Sequence, residues 1–273
     1  MGDTLRLGAR YAALRARTMH RFLTWCEPFT GIPARVQEGP SAPTDATLLR
    51  AFQASRQGRA VILLGSGPSA TMFPWASIPL AGVDVCALNG AWRLCEGVGV
   101  RPTLGVLNNP LALAEHGLGM TRAVTDRVWV SSSAWREAGP VWDVQPILFD
   151  QWAYPGMADG HWEDRLDHPL FQSGTVAHAA IQILVGMGYG RVLCVGVDLV
   201  DAPHAYQASP ADAERNRRVF VPRLARMRKG LEVARAAVEH RGGCVVRTFS
   251  WPFTGNPFPS VEDPIVFLKG DTP

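Results

Sequence analysis

The chain has 273 residues, 47% of them hydrophobic, enough to bury one substantial core and to form one or two domains. Its net charge of +3 is too small to argue for nucleic acid, and Lys229 and Lys269 are the only lysines, so arginine carries nearly all the positive charge. No run of about 18 apolar residues is present and the N-terminus lacks the apolar core of a signal peptide, so a cytoplasmic protein is expected.

Residues 5 to 25 predict a helix with Leu7, Tyr11, Leu14, Phe22 and Trp25 toward one side and Arg6, Arg10, Arg17 and Arg21 along another. Packing on its own domain or on a second subunit is the favoured role, which makes a homo-oligomer one expectation. Peripheral contact with an anionic membrane, at its inner face, is the alternative. The stretch GIPARVQEGPSAPTD, 31 to 45, is rich in Pro, Gly and Ser and reads as a linker. An N-terminal extension, 1–44, is therefore set apart from a main domain, 45–273.

From Thr44 onward strands and helices alternate. The expected strands are AVILLG from Ala60, VDVCALN from Val83, TLGVLN from Thr103, RVWVSS from Arg127, PILFD from Pro146, RVLCVGV from Arg191 and CVVRTFS from Cys244. Helical patterns lie between most of them, the longest from about Pro210 to His240. Apolar, β-branched strands alternating with helices predict an α/β fold, Rossmann-like, with a mostly parallel sheet of about seven strands covered on both faces. The five cysteines, Cys26, Cys86, Cys95, Cys194 and Cys244, are odd in number and scattered, and read as buried thiols.

Candidate site residues gather where strands end, the edge at which open α/β sheets bind ligands. The first strand runs into Gly65, Ser66, Gly67, Pro68, Ser69 and Ala70, which fits G-x-G-x-x-A. The second strand, however, ends in Asn89 rather than an acidic residue, Asp84 lies near its beginning, and Pro68 demands a different turn, so dinucleotide binding is not expected. A phosphate or sugar against the Gly-rich turn is. Asn89 and Asn109 at successive strand ends offer amide donors and acceptors; helix capping is their bland alternative. Ser173, Gly174 and Thr175 open a nearly all-apolar helix whose first N–H groups suit an anion, and Asp198 just past the next strand shares that edge.

Several other groups read as structural. His178 shares a helix face with Gln182 and is expected to be a partnered helix residue. The cluster His161, Glu163, Asp164, Asp167 and His168 fits no closed zinc pattern and reads as a solvated loop, and no metal site is expected. Trp135, Trp142, Trp152 and Trp162 wall an acceptor pocket or fill core.

Taken as an ordered set, GSGPS, CALNGAW, LNNP, SGT opening a helix, and GVDL followed by HAY resemble the small bacterial CMP-sialic acid-dependent sialyltransferases, and the wider Rossmann-like Gly-x-Gly-Pro-Ser group related to them. The resemblance runs from about Ala60 to Tyr206. It implies that Gly65 through Ser69, Asn89, Asn109, Ser173 and Gly174 surround a CMP moiety, and that Tyr206 binds the departing phosphate. Val200 stands where a first tyrosine belongs, and the segment between Tyr206 and the long helix, home of the family's general-base histidine, has none. His204, two residues before Tyr206, is the candidate substitute base.

The implied function is that of a cytoplasmic, metal-independent, inverting glycosyltransferase. Its main domain binds a CMP-activated acidic sugar, sialic acid or a related ulosonic acid, as donor substrate rather than cofactor, and its acceptor is a glycan or glycolipid. The alternatives are a Mg-dependent phosphotransferase of the pterin diphosphokinase-like type and a non-catalytic nucleotide-binding module.

Overall fold

A computed structural model of the chain describes residues 46–138, 146–152, 162–171, 173–206, 209, 210, 214, 217, 218, 220–249 and 255–270. The expected helix 5–25, the linker, Cys26, Trp142 and His161 lie outside these residues.

Each of the seven runs read as strands forms a strand of one sheet: β1 (Ala60–Leu64), β2 (Val83–Leu88), β3 (Leu104–Leu107), β4 (Arg127–Ser131), β5 (Ile147–Phe149), β8 (Arg191–Val195) and β9 (Val245–Phe249). Two further strands, β6 (Gln151–Trp152) and β7 (Leu170–Phe171), pair in parallel as a small separate sheet. The main order is β5-β4-β3-β2-β1-β8-β9, parallel throughout. Side chains alternate across it by the strand period of two. Val61, Leu63, Val192 and Cys194 face one core, and Ala60, Ile62, Leu64, Leu193 and Val195 face the other.

The first face is covered by α1 (Ala46–Arg56), α6 (Val176–Gly186) and α7 (Leu224–Arg241). Helix α6 reads as apolar nearly all round because nearly all of it is buried, packed on the sheet and against α7. The opposite face carries α2 (Ser69–Met72), α3 (Trp92–Gly97), α4 (Pro110–Ala123), α5 (Ser132–Ala138) and α8 (Pro264–Lys269). Helix α8 shows how local sequence sets its limits. Asp263 accepts from the N–H groups of Ile265 and Val266, Pro264 occupies the first turn, and Gly270 closes the helix at φ 84°.

The helix expected from about Pro210 to His240 is interrupted: the described residues 210, 214, 217, 218 and 220 are helical, a 3-10 turn follows at Val221–Arg223, and α7 begins only at Leu224. Cys86, Cys95, Cys194 and Cys244 are free and buried, and burial pushes the thiols of Cys95 and Cys244 up to about 12. At the amino edge of the sheet, Asp84 takes Arg56, Arg59 and the Tyr189 hydroxyl, so it faces away from the carboxyl edge. Among the described residues no helix is long and apolar enough to cross a membrane.

Candidate functional site

Strand order reverses between β1 and β8, which makes their carboxyl ends the switch point of the sheet. The two exits are knitted together there. The Gly65 N–H donates to Val195 O at 2.7 Å and the Gly67 N–H to Gly196 O at 2.7 Å. A β-carbon on either glycine would run into Gly196 O, and on Gly67 also into the Asp198 carboxylate. The glycines of the first turn thus answer to close approach of two backbones. Asp198 Oδ2 accepts the Ser69 N–H at 2.8 Å, Asp198 Oδ1 accepts the Ser69 hydroxyl at 2.5 Å, and that hydroxyl accepts the Gly196 N–H at 3.0 Å. Burial raises the Asp198 carboxyl above its ordinary range while the Ser69 donors pull it back. Pro68 takes φ −62° just ahead of α2.

Beyond Asp198 the chain turns sharply at Leu199, whose φ of 52° is rare for a bulky residue. It then runs back to β1, where the Ala205 N–H donates to Ser66 O at 2.7 Å and His204 Nδ1 lies 2.6 Å from Ser66 Oγ. Burial lowers the His204 pKa below its ordinary 6.5, so the ring is neutral at pH 7. His204 and Tyr206 stack with centroids 5.5 Å apart and planes within 5°. The Tyr206 ring rests on Gly90, where a β-carbon would come within 2.6 Å of it. The Arg93 guanidinium lies 5.4 Å from the ring centroid and the edge of His116 meets it at 5.8 Å. Arg93 and His116 are additions to the residues read from sequence. Neither sits in a motif, and His116 reaches the site only because α4 packs on the 3-10 turn Asn89–Ala91.

Asn89 begins that turn at φ 48°, and its Oδ1 is buried without a partner among the described residues. Asn109 caps α4 instead, its Oδ1 accepting the Ala112 N–H at 2.8 Å. Thr175 likewise caps α6 by accepting from Ala177 N at 3.2 Å, so the helix proper starts at Val176. Gly174 holds φ 81° beside Arg226 and Met227, and Ser173 fits against α7 only because residue 230 is glycine. The Ser173 hydroxyl is buried without a partner, as are Asp150 Oδ1 and Gln151 Oε1. Asn89, Asp150, Gln151 and Ser173 thus hold every such buried side-chain oxygen among the described residues. Asn89 and Asp150 follow directly on β2 and β5, Gln151 opens β6, and Ser173 precedes α6.

His178 lies in the first turn of α6 with Nδ1 3.0 Å from Phe171 O, and Gln182 clamps Phe171 by accepting its N–H and donating to its carbonyl. One ring nitrogen of this helix histidine is thus partnered, as expected, while its Nε2 is buried without a partner among the described residues. Burial pushes it down to about 4. Between pH 6.5 and 4 the unfolded chain binds this proton and the folded chain does not. Stability present above 6.5 is thus lost as pH falls toward 4, by about 3 kcal/mol at most. His178→Gln is expected to flatten that part of the curve in urea denaturation at pH 7 and pH 4.5; an unchanged slope would put the source elsewhere.

In the loop before Leu170, Glu163 pairs with Arg165, and Asp164 takes the Trp162 indole N–H and Arg241. Trp162 packs against the main core beside His178.

No protein-family model and no curated protein matches the chain. Among solved structures it is similar to that of the MAf glycosyltransferase from Magnetospirillum magneticum AMB-1, with TM-score 0.50 and 13% identity, over 78% of this chain and 37% of that one. The chain thus spans little more than a third of that protein's length, and the likeness is one of fold: the Rossmann-like α/β architecture with a parallel sheet of seven strands.

Proposed function

We propose that the chain is an inverting glycosyltransferase that takes a CMP-activated acidic sugar as donor and needs no metal. The observation that carries the reading is the carboxyl edge itself. His204 and Tyr206 stack there beside Ser66, within one edge that also holds four buried oxygens lacking donors. Desolvated acceptors left without partners are uncommon in folded proteins and are explained where a ligand supplies the hydrogens. The motif resemblance supplies the nucleotide and the acidic sugar, and the shared fold is that of a protein named as a glycosyltransferase.

In this reading the nucleotide lies over the ends of β1 and β2, against Ser66 and Asn89. In the tautomer whose Nδ1–H donates to Ser66 Oγ, Nε2 is the basic nitrogen of His204, and it takes the proton of the acceptor hydroxyl as that oxygen attacks the anomeric carbon. The Tyr206 hydroxyl and the start of α6 around Gly174 stabilise the phosphate that leaves. The acceptor is a glycan or glycolipid, and the work is done on the cytoplasmic side.

Thermal unfolding across a nucleotide panel in EDTA tests this. CMP or CDP at about 100 times its dissociation constant should add roughly 2.7 kcal/mol, and AMP or GMP clearly less. Preference for a purine nucleotide would remove the CMP assignment. A requirement for Mg²⁺ would favour a phosphotransferase, and CMP binding without turnover of any CMP-sugar would leave a binding module.

A further inference from the structure

The corner between β5 and β6 takes no part in the chemistry above, yet it holds two of the four orphaned oxygens. Asp150 follows β5 directly, and its carbonyl accepts the Leu170 N–H at 2.9 Å, which ties the corner to β7 just ahead of Ser173. Its side-chain Oδ1 is buried and meets no donor among the described residues. Gln151 comes next. Its Nε2 donates to Asn108 O at 3.1 Å, a carbonyl that also accepts the Ser131 hydroxyl at 3.0 Å.

That contact settles which way the Gln151 amide is turned. Rotated the other way, Oε1 would oppose the carbonyl of Asn108 with no hydrogen between them. The amide is therefore held by its nitrogen, and Oε1 is left buried with nothing to accept. Two adjacent residues thus present acceptors only. A phosphate or a sugar carboxylate would be repelled here, whereas hydroxyl and amide N–H groups would supply the missing hydrogens.

Position agrees with this chemistry. Neighbouring strands lie about 4.8 Å apart, and the Gln151 side chain reaches back to the Asn108 carbonyl just past β3, two strands or roughly 10 Å across the sheet from the end of β1. A nucleotide seated over β1 and β2 leaves that adjoining part of the same edge for the group it carries. We propose that Asp150 and Gln151 form the subsite for the neutral hydroxyl and N-acyl groups of the donor's sugar and discriminate among sugars. The assignment rests on the glycosyltransferase reading given above.

The test is calorimetric titration of the full chain, in EDTA, with CMP and with CMP-N-acetylneuraminic acid, comparing wild type with Asp150→Ala and Gln151→Met. Either substitution should weaken the sugar nucleotide by about tenfold and leave CMP within twofold; the ligand-free Tm should be unchanged or higher in Asp150→Ala and slightly lower in Gln151→Met, which gives up the bond to Asn108 O. Gln151→Met keeps the length of the side chain and so serves if Asp150→Ala fails to fold. Equal weakening of both ligands, or of neither, would overturn the subsite. So would a fall in ligand-free Tm in both variants. If wild type binds neither ligand, the CMP reading falls by itself. The same comparison with UDP against UDP-N-acetylglucosamine, and GDP against GDP-mannose, then decides: a sugar-dependent gain abolished by Asp150→Ala keeps the subsite, and no gain in any pair sinks it. Restoration of binding by Ca²⁺ alone would make the pair cation ligands and end the sugar assignment.

Discussion

Asp198→Ala is expected to lower the unfolding free energy by about 3 kcal/mol, because both carboxylate oxygens are committed to Ser69 inside the protein. The Ser69 N–H at 2.8 Å and the Ser69 hydroxyl at 2.5 Å each make a hydrogen bond to an ionisable group, worth about 1.5 to 3 kcal/mol apiece. Their loss would leave the buried Ser69 donors unsatisfied at the point where β1 and β8 diverge. Asp198→Asn retains one acceptor oxygen and should cost less. Gly67→Ala should behave like Asp198→Ala, since its β-carbon would land on the same carboxylate and on Gly196 O. Urea denaturation followed by tryptophan fluorescence measures all three. A carboxylate acting on ligand alone would give the opposite pattern, with the midpoint of Asp198→Ala unmoved and nucleotide binding lost.

That contrast shows where sequence reasoning reaches and where it stops. All seven main strands are legible because each is a short apolar run bounded by glycine or polar turns, and every one is buried on both faces except toward the edges. The helix starting near Ser173 is legible for the same reason: a helix enclosed on all sides must be apolar all round. The two-residue strands β6 and β7 carry too little pattern to be seen.

The candidate residues are legible as a set of positions at one edge, and less so in what each side chain touches. Asp198 and Ser69 stand 129 residues apart, and nothing in either local sequence announces that one binds the other. Asn109 and Thr175 spend their side chains on helix N–H groups, the bland alternative for an Asn and the ordinary work of a Thr at a helix start. Asp150 and Gln151 pass unnoticed in sequence because no motif contains them; only the burial of Oδ1 and Oε1 without donors singles them out.

Under the proposed transfer chemistry, His204→Ala is expected to reduce transfer by 10² to 10⁴, the usual span for a lost general base, while CMP affinity stays within a few fold. The geometry argues for this side chain over the other histidines. His178 is buried in α6 with Nδ1 on Phe171 O, and His168 lies beside Arg165 in the loop before β7. Among the described histidines, His204 alone is held on the Gly-rich turn, by Ser66, and stacked on Tyr206. Burial lowers its pKa below 6.5, so the basic form is present at neutral pH and is lost only as pH falls through that lowered value. The acid limb of kcat/KM should accordingly lie below pH 6.5 in wild type and vanish in the residual activity of His204→Ala. Tyr206→Phe should cost about tenfold to a hundredfold with the acid limb retained, since it removes one hydrogen bond made to the leaving group and no proton acceptor. The measurement is the initial rate of CMP release from a CMP-sugar with a panel of glycan acceptors, between pH 5 and 8. Full activity in His204→Ala would move the base elsewhere, and His116, which meets Tyr206 edge-on at 5.8 Å, would be the next side chain to replace.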